Sequence, residues 1–257
     1  MQKINLVIPD NMDYRTSEAY RTLRTNVLFC GEEINAIAVT SCTPGEGKSE
    51  VSFRLAESLA ETDRKILYID ADLRRSVFSK RYQVTQEVKG LSHYLSGQEE
   101  LGAVVCATNI SNLHVILPGP VPPNPSELLG NEHFRQLMEK THALYLHNIK
   151  ETNYDYIIID TPPLGSVIDA AVIAKECDGA MLVIENDAIS YKMAQKVERQ
   201  LERSGCRILG AVLNKVDVRA KGYYGKYYYS KYYGGDYSSA YYGAQEVEER
   251  KESTEEK

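Results

Sequence analysis

Six short runs of this chain are almost wholly apolar, and helical patterns separate most of them. The runs are Ala36–Thr40, Lys65–Asp70, Leu113–Leu117, Tyr156–Asp160, Ala180–Ile184 and Ile208–Leu213. A strand with one wet face alternates apolar with polar side chains. A strand that is apolar along its length must be covered on both faces. Helical patterns fall at Gly47–Glu61, Ser126 to about Ile149, Ile168–Glu176 and Ser190–Arg203. This alternation predicts an α/β domain, a mostly parallel sheet with helices on both faces. A polar helix is predicted over residues 10–30, ahead of the first run. Residues 118–125 (Pro-Gly-Pro-Val-Pro-Pro-Asn-Pro) predict an extended loop, because each proline fixes φ and disfavours helix before it.

The first run leads into Ser41-Cys-Thr-Pro-Gly-Glu-Gly-Lys-Ser49 and then into a helix. Strand, glycine loop and helix in that order are the context of a phosphate-binding loop. In the loop Thr43-Pro44-Gly45-Glu46-Gly47 every residue but Pro44 offers a backbone N–H that can wrap a β-phosphate, and Gly45 and Gly47 let the backbone approach. Lys48 is placed to reach the β- and γ-phosphates, and the Ser49 hydroxyl to bind Mg²⁺. Glu50 follows as the last residue of the candidate nucleotide-binding stretch. Cys42 stands where the G-x4-G-K-[ST] pattern has its first glycine.

Three more runs end in polar residues on the edge where open α/β sheets bind ligands. The second run ends Asp70-Ala-Asp72, followed by Leu73-Arg74. Asp70 suits holding a Mg²⁺-bound water or accepting a proton; both aspartates equally suit capping a turn. The fourth run ends in Asp160, followed by Thr-Pro-Pro163, the form in which a carboxylate holds Mg²⁺ through water. The last run ends Leu213-Asn-Lys-Val-Asp217. Read literally, this suggests guanine recognition, yet Asn214 equally suits adenine. The Asp-x-x-Gly switch of a GTPase is missing after Asp160, which favours ATP. Lys48, Asp70, Asp72 and Asp160 are the candidate catalytic residues, with Ser49, Asp70 and Asp160 around the metal.

Ten of the 19 tyrosines crowd into twenty residues near the C-terminus. They are Tyr223, Tyr224, Tyr227, Tyr228, Tyr229, Tyr232, Tyr233, Tyr237, Tyr241 and Tyr242, spaced by Gly, Ser, Lys, Ala and Asp. Without Val, Ile or Leu such a segment has little to pack, so residues 218–257 are expected to be a disordered tail. Phenols on a tether beside a nucleotide site suggest an enzyme that phosphorylates itself.

The apolar share of 43% suffices for one large core, and the net charge of −6 lacks the basic footprint of a nucleic-acid binder. Five cysteines stand singly (Cys30, Cys42, Cys106, Cys177, Cys206), which argues against zinc or a disulfide framework and for a reduced, cytoplasmic setting. No run approaches the ~20 apolar residues of a membrane helix.

These residues resemble the bacterial tyrosine kinases of capsular-polysaccharide synthesis. Pro44-Gly-Glu-Gly-Lys-Ser49 is similar to the family's first phosphate motif, Asp70-Ala-Asp-Leu-Arg74 to its D-x-D-x-R motif, and Ile157-Ile-Ile-Asp-Thr-Pro-Pro163 to its magnesium strand. Pro123-Asn-Pro-Ser-Glu-Leu-Leu129 resembles a further family segment. Spacing alone favours a solvated helix face with local ion pairs for Glu18, Arg21 and Arg24; the resemblance reverses that, since they match an E-x-x-R-x-x-R motif that joins neighbouring subunits of a ring, an octamer by resemblance. The resemblance implies ATP and Mg²⁺, and an Asp70 that orients or deprotonates the incoming phenol. It implies a C-terminal cluster phosphorylated in trans, and three parts: an oligomerisation segment (1–33), a kinase domain (34–217) and the tail. It also implies three partners: a transmembrane polysaccharide co-polymerase adaptor that activates the kinase at the inner face of the membrane, a cognate phosphotyrosine phosphatase, and further copies of the chain. Glu50 departs from the Thr common at that position, and its charge near the phosphates is expected to weaken ATP binding or lower intrinsic activity.

Two other readings fit parts of the chain. A MinD/ParA-type ATPase shares the fold and phosphate loop, but needs neither ten tail tyrosines nor D-x-D-x-R. An adhesive Tyr/Gly/Ser segment accounts for the tail but not for the nucleotide site.

Overall fold

The computed structural model describes residues 2–9, 12–141 and 154–216 of the 257. The ten clustered tyrosines and Asp217 lie outside the described residues, and the far end of the helix expected to reach Ile149 does too. The fold described is a single unit that ends at Lys215.

Eight strands form one sheet in the order β1-β4-β5-β3-β6-β2-β7-β8. They are β1 (Gln2–Lys3), β2 (Ala36–Ser41), β3 (Ile66–Asp70), β4 (Val105–Ala107), β5 (Leu113–Ile116), β6 (Tyr156–Asp160), β7 (Gly179–Glu185) and β8 (Ile208–Asn214). All six apolar runs are strands, to within a residue or two at their ends. From β5 to β8 every neighbouring pair is parallel. The sequence gives no sign of β1 or of β4, which runs antiparallel to β5. At two and three residues, both are too short to show a period.

The helices are α1 (Tyr14–Leu28), α2 (Lys48–Ala60), α3 (Phe78–Arg81), α4 (Leu91–Leu95), α5 (Leu101–Val104), α6 (Pro125–Leu129), α7 (Glu132–Thr141), α8 (Asp169–Ala174) and α9 (Tyr191–Arg203). Asp13 caps α1 by accepting from the Thr16 N–H, and Ser190 caps α9 through Met193. The single helix expected from Ser126 is two. Pro125 starts α6, Gly130 ends it, and Asn131 accepts the Phe134 N–H to open α7.

Alternate residues of each strand feed two cores. Ile37, Val39, Tyr68 and Ile158 point to the face covered by α1, α2 and α3, where they meet Val27, Phe53, Leu59 and Phe78. Ala36, Ala38, Leu67, Ile69 and Ile159 point to the other face, against Leu95, Phe134, Ile173 and Leu201 from α4, α7, α8 and α9. Four rings stack on the first face. Phe53 lies 5.5 Å from Tyr68 edge-on and 4.2 Å from Tyr82, and Phe78 lies 4.7 Å from Tyr82. This cluster locks α2, whose first residue is Lys48, onto β3, whose last is Asp70.

Register does the rest of the positioning. Asp70 and Asp160 are direct partners across β3 and β6, and Val39 pairs with Asp160 across β2 and β6. The loop after β2 therefore opens beside both carboxylates.

Candidate active site

The loop 42–47 carries two left-handed glycines, Gly45 at φ 91° and Gly47 at φ 90°. A Cβ on Gly47 would also lie 2.2 Å from Asn214 Nδ2, so glycine is required there on two counts. Gly165, in the turn after β6, is needed for closeness: a Cβ would meet the Cys42 carbonyl oxygen at 2.1 Å. Cys42 itself is fully buried, and burial followed by the nearby Glu46 charge pushes its thiol up to about 11. It fills space as a small apolar residue.

Lys48 Nζ lies 3.1 Å from Ser49 Oγ, 3.4 Å from Asp160 Oδ1 and 3.5 Å from Asp72 Oδ2. Burial works against its charge, but Asp160, Asp72 and Asp70 outweigh burial and raise its pKa. Asp70 is pushed up to about 8, first by burial and then by Asp160 beside it; the Ser76 hydroxyl and Lys48 pull the other way. Asp160 is raised by burial against the opposing pull of Lys48. With both carboxylates of this rung ionised the pocket would carry surplus negative charge beside one ammonium, and a divalent cation would offset it.

The donor set is all oxygen, which is the chemistry Mg²⁺ takes. Among the described residues no group of three His, Cys, Asp or Glu closes into a metal cage. Mg²⁺ ordinarily keeps several waters and binds phosphate oxygens alongside one or two protein groups.

The loop after Asp70 is braced from within. Asp70 accepts from the Asp72 N–H at 3.1 Å and from Ser76 Oγ at 2.5 Å, and Asp72 accepts from the Arg75 N–H at 2.9 Å. Arg74 reaches across to α8, with Nε 2.7 Å from Asp169 Oδ2 and Nη2 3.2 Å from Oδ1. Ser126 Oγ at the start of α6 joins both, 2.5 Å from Asp169 Oδ1 and 3.0 Å from Arg74. The two segments that carry Asp70-Ala-Asp-Leu-Arg74 and Pro-Asn-Pro-Ser126 are thus tied together through an aspartate with no solvent exposure. Sequence reading missed Ser76 and Asp169. Asp169 sits in a run read only as a helix, and only its place opposite Arg74 reveals it.

Three expected nucleotide contacts look different in place. The Glu46 carboxylate is buried and faces the protein, accepting from the Thr43 hydroxyl at 3.0 Å and the Glu185 N–H at 3.1 Å, so only its backbone can serve a phosphate. Asn214 donates from Nδ2 to the Glu46 carbonyl at 2.9 Å. Glu50 is paired with Arg81 on α3, which offsets the charge expected to burden the phosphates.

On α1, Glu18 and Arg21 pair with each other one turn apart. Arg24 instead turns to its own α2, donating to the Ser58 carbonyl at 2.7 Å and approaching Glu61 at 3.3 Å.

The family model described as an AAA domain matches residues 34–203. The tyrosine-protein kinase CpsD of Streptococcus agalactiae is 46% identical over 215 residues, which cover 83% of this chain and 90% of that protein. The chain belongs to the CpsD-type bacterial tyrosine kinases. Among solved structures, the kinase domain of the Escherichia coli tyrosine kinase ETK superposes with a TM-score of 0.72 at 33% identity, covering 84% of this chain and 90% of that one. The enzyme class of this CpsD-type chain is accordingly protein-tyrosine kinase. The septum site-determining protein MinD of Pyrococcus horikoshii, solved with Mg-ADP, shares the fold with a TM-score of 0.58 and 26% identity over 73% of this chain and 72% of that one. The MinD/ParA reading therefore holds as kinship of fold. Among the described residues no helix is long and apolar enough to cross a membrane.

Proposed function

We propose that this kinase transfers the γ-phosphoryl group of ATP to tyrosines of the C-terminal cluster on a neighbouring copy. The observation that carries this reading is the Lys48 ammonium, held 3.4 Å from Asp160 and 3.5 Å from Asp72 at the root of the phosphate loop, on the sheet edge where Asp70 ends β3. Lys48 leaves these carboxylates to meet the β- and γ-phosphates. Asp160 and the Ser49 hydroxyl are the groups that would hold Mg²⁺, which when bound supplies charge neutralisation on the phosphates. Asp70 orients the incoming phenol and takes its proton. Asp72 and Arg74 keep the loop in place.

A phenol with an ordinary pKa near 10 is a poor nucleophile at neutral pH, and phosphoryl transfer has a loose transition state. Positioning and charge neutralisation therefore dominate, and both belong to this site. The segment 1–33, through Glu18, Arg21 and Arg24, joins copies into a ring that brings each cluster (Tyr223 to Tyr242) to the next site. Each phosphotyrosine adds about −1.5 to −2 charges, so a heavily phosphorylated ring repels itself and opens. A membrane-spanning adaptor recruits and activates the kinase at the inner face of the membrane. A phosphotyrosine phosphatase resets it, and the cycle governs capsular-polysaccharide synthesis and export.

The test is incubation of purified protein with labelled ATP and Mg²⁺, with and without the adaptor's cytoplasmic peptide. Label on tyrosine, lost in Lys48→Met and after deletion of residues 218–257, supports the reading; no label on tyrosine under any condition rejects it. Light scattering before and after dephosphorylation tests the ring, and identical masses would sink that part.

A further inference from the structure

The apex of the phosphate loop is gripped from outside by the end of β8, and nothing in the phosphate motif itself calls for that grip. Lys215 Nζ donates to the Gly45 carbonyl at 2.8 Å, and Asn214 Nδ2 donates to the Glu46 carbonyl at 2.9 Å. Lys215 Nζ also lies 2.8 Å from Glu185 Oε2, and the Glu185 N–H holds the Glu46 carboxylate. Asn214 is itself fixed, since its carbonyl accepts the Asn186 N–H at 2.9 Å. Lys215 takes a left-handed backbone at φ 56°, uncommon for a residue with a Cβ, and it does so where its ammonium reaches the loop.

There are no cis peptides among the described residues, so each carbonyl points opposite to the N–H that follows it in the same peptide plane. Turning the Gly45 carbonyl toward Lys215 aims the Glu46 N–H the other way. Turning the Glu46 carbonyl toward Asn214 does the same for the Gly47 N–H. We propose that Lys215, with Asn214 and held by Glu185, is a positioning residue that aims the Glu46 and Gly47 N–H groups at the nucleotide's phosphates. This rests on the reading of residues 43–49 as the phosphate site. Because a partly exposed ion pair adds little to stability, losing the Lys215 ammonium should cost affinity and leave the fold intact.

The experiment measures binding of a fluorescent ADP analogue with Mg²⁺, alongside the melting temperature and the kcat and KM for ATP. Lys215→Asn tolerates the left-handed backbone and removes the ammonium. It should bind the analogue about tenfold more weakly and raise KM for ATP by a similar factor, with kcat and melting temperature near those of the wild type. Lys215→Arg should recover most of the loss, and Glu185→Gln should show part of it. Lys215→Asn binding as tightly as wild type overturns the proposal, as does a loss that appears only with a lowered melting temperature in both Lys215→Asn and Lys215→Gln. Failure of the wild type to bind at all, with Lys48→Met no different, rejects the phosphate site and this proposal with it.

Discussion

Arg74 and Asp169 meet through two parallel contacts, 2.7 Å at Nε and 3.2 Å at Nη2, across 95 residues of sequence. A two-pronged guanidinium–carboxylate contact fixes direction as well as distance. It thereby sets how the loop after β3 carries Asp72 over Lys48. Asp169→Asn should lower the rate of tyrosine phosphorylation at saturating ATP and destabilise the fold by about 1 kcal/mol, since it strips the charge from the buried half of an ion pair whose Arg74 half is screened by solvent. Ser126→Ala should do the same more mildly. Phosphotyrosine formation and urea denaturation measure both.

Burial, and then Asp160 on the same rung of the sheet, disfavour the Asp70 charge, and this costs the protein stability in the absence of Mg²⁺ and nucleotide. Asp70→Asn keeps an acceptor for the Asp72 N–H and removes the carboxyl group whose ionisation the site opposes. It should abolish phosphoryl transfer while raising stability by about 1 kcal/mol, a melting shift of about 3 °C for a unit of this size. Calorimetry in EDTA checks it; a drop in melting temperature would contradict the strain.

Arg24 spends its charge on its own α2. Arg24→Ala should therefore lower the stability of the isolated protomer by about 1 kcal/mol, whereas Arg21→Ala, whose partner Glu18 is one turn away on the surface, should leave it unchanged. Melting curves at concentrations where light scattering reports monomer separate this effect from assembly.

Glu50 is balanced by Arg81, so Glu50→Thr should change affinity for an ADP analogue by less than about fivefold. Arg81→Ala, which leaves the Glu50 charge unopposed, should weaken binding more than Glu50→Thr strengthens it. Fluorescence titration of the two variants decides.

His114 on β5 is half-buried, with Nδ1 2.8 Å from the Tyr154 hydroxyl. Burial, then the Lys65 charge, lowers its pKa. The unfolded chain therefore takes up a proton near pH 6.5 that the native protein refuses until lower pH. Its contribution to stability is present above that value and is lost as pH falls below it, by up to about 1.4 kcal/mol per pH unit. His114→Gln should flatten the fall in urea midpoint between neutral pH and pH 5.5.

The central strands and the phosphate loop were legible because each is written in contiguous residues: an apolar run, or a glycine loop between a run and a helix. The ends of those strands also placed Asp70, Asp72 and Asp160. What stayed hidden depends on residues far apart in sequence. Asp169 and Glu185 reveal themselves only through Arg74 and Lys215, which the topology brings to them. The break at Gly130 was masked by helical patterns on both sides of it. Glu50 read as a lone charge because Arg81 arrives on a four-residue helix with no periodicity to announce it. The hydrogen bond from Asn214 to the Glu46 carbonyl stayed hidden as well, because a backbone carbonyl across space has no sequence signature.

The pairing of β3 with β6 carries one more implication. Side chains alternate between faces along a strand, so sliding β3 by one residue would carry Asp70 to the opposite side of the sheet from Asp160 and turn every apolar neighbour over with it. The aromatic cluster under α2 accepts Tyr68 in one orientation only. A chain that settles Tyr68 among Phe53, Phe78 and Tyr82 has, in the same act, delivered Asp70 to its partner. Folding thus proofreads the enzyme: the packing that rejects a slipped strand rejects an inactive one too.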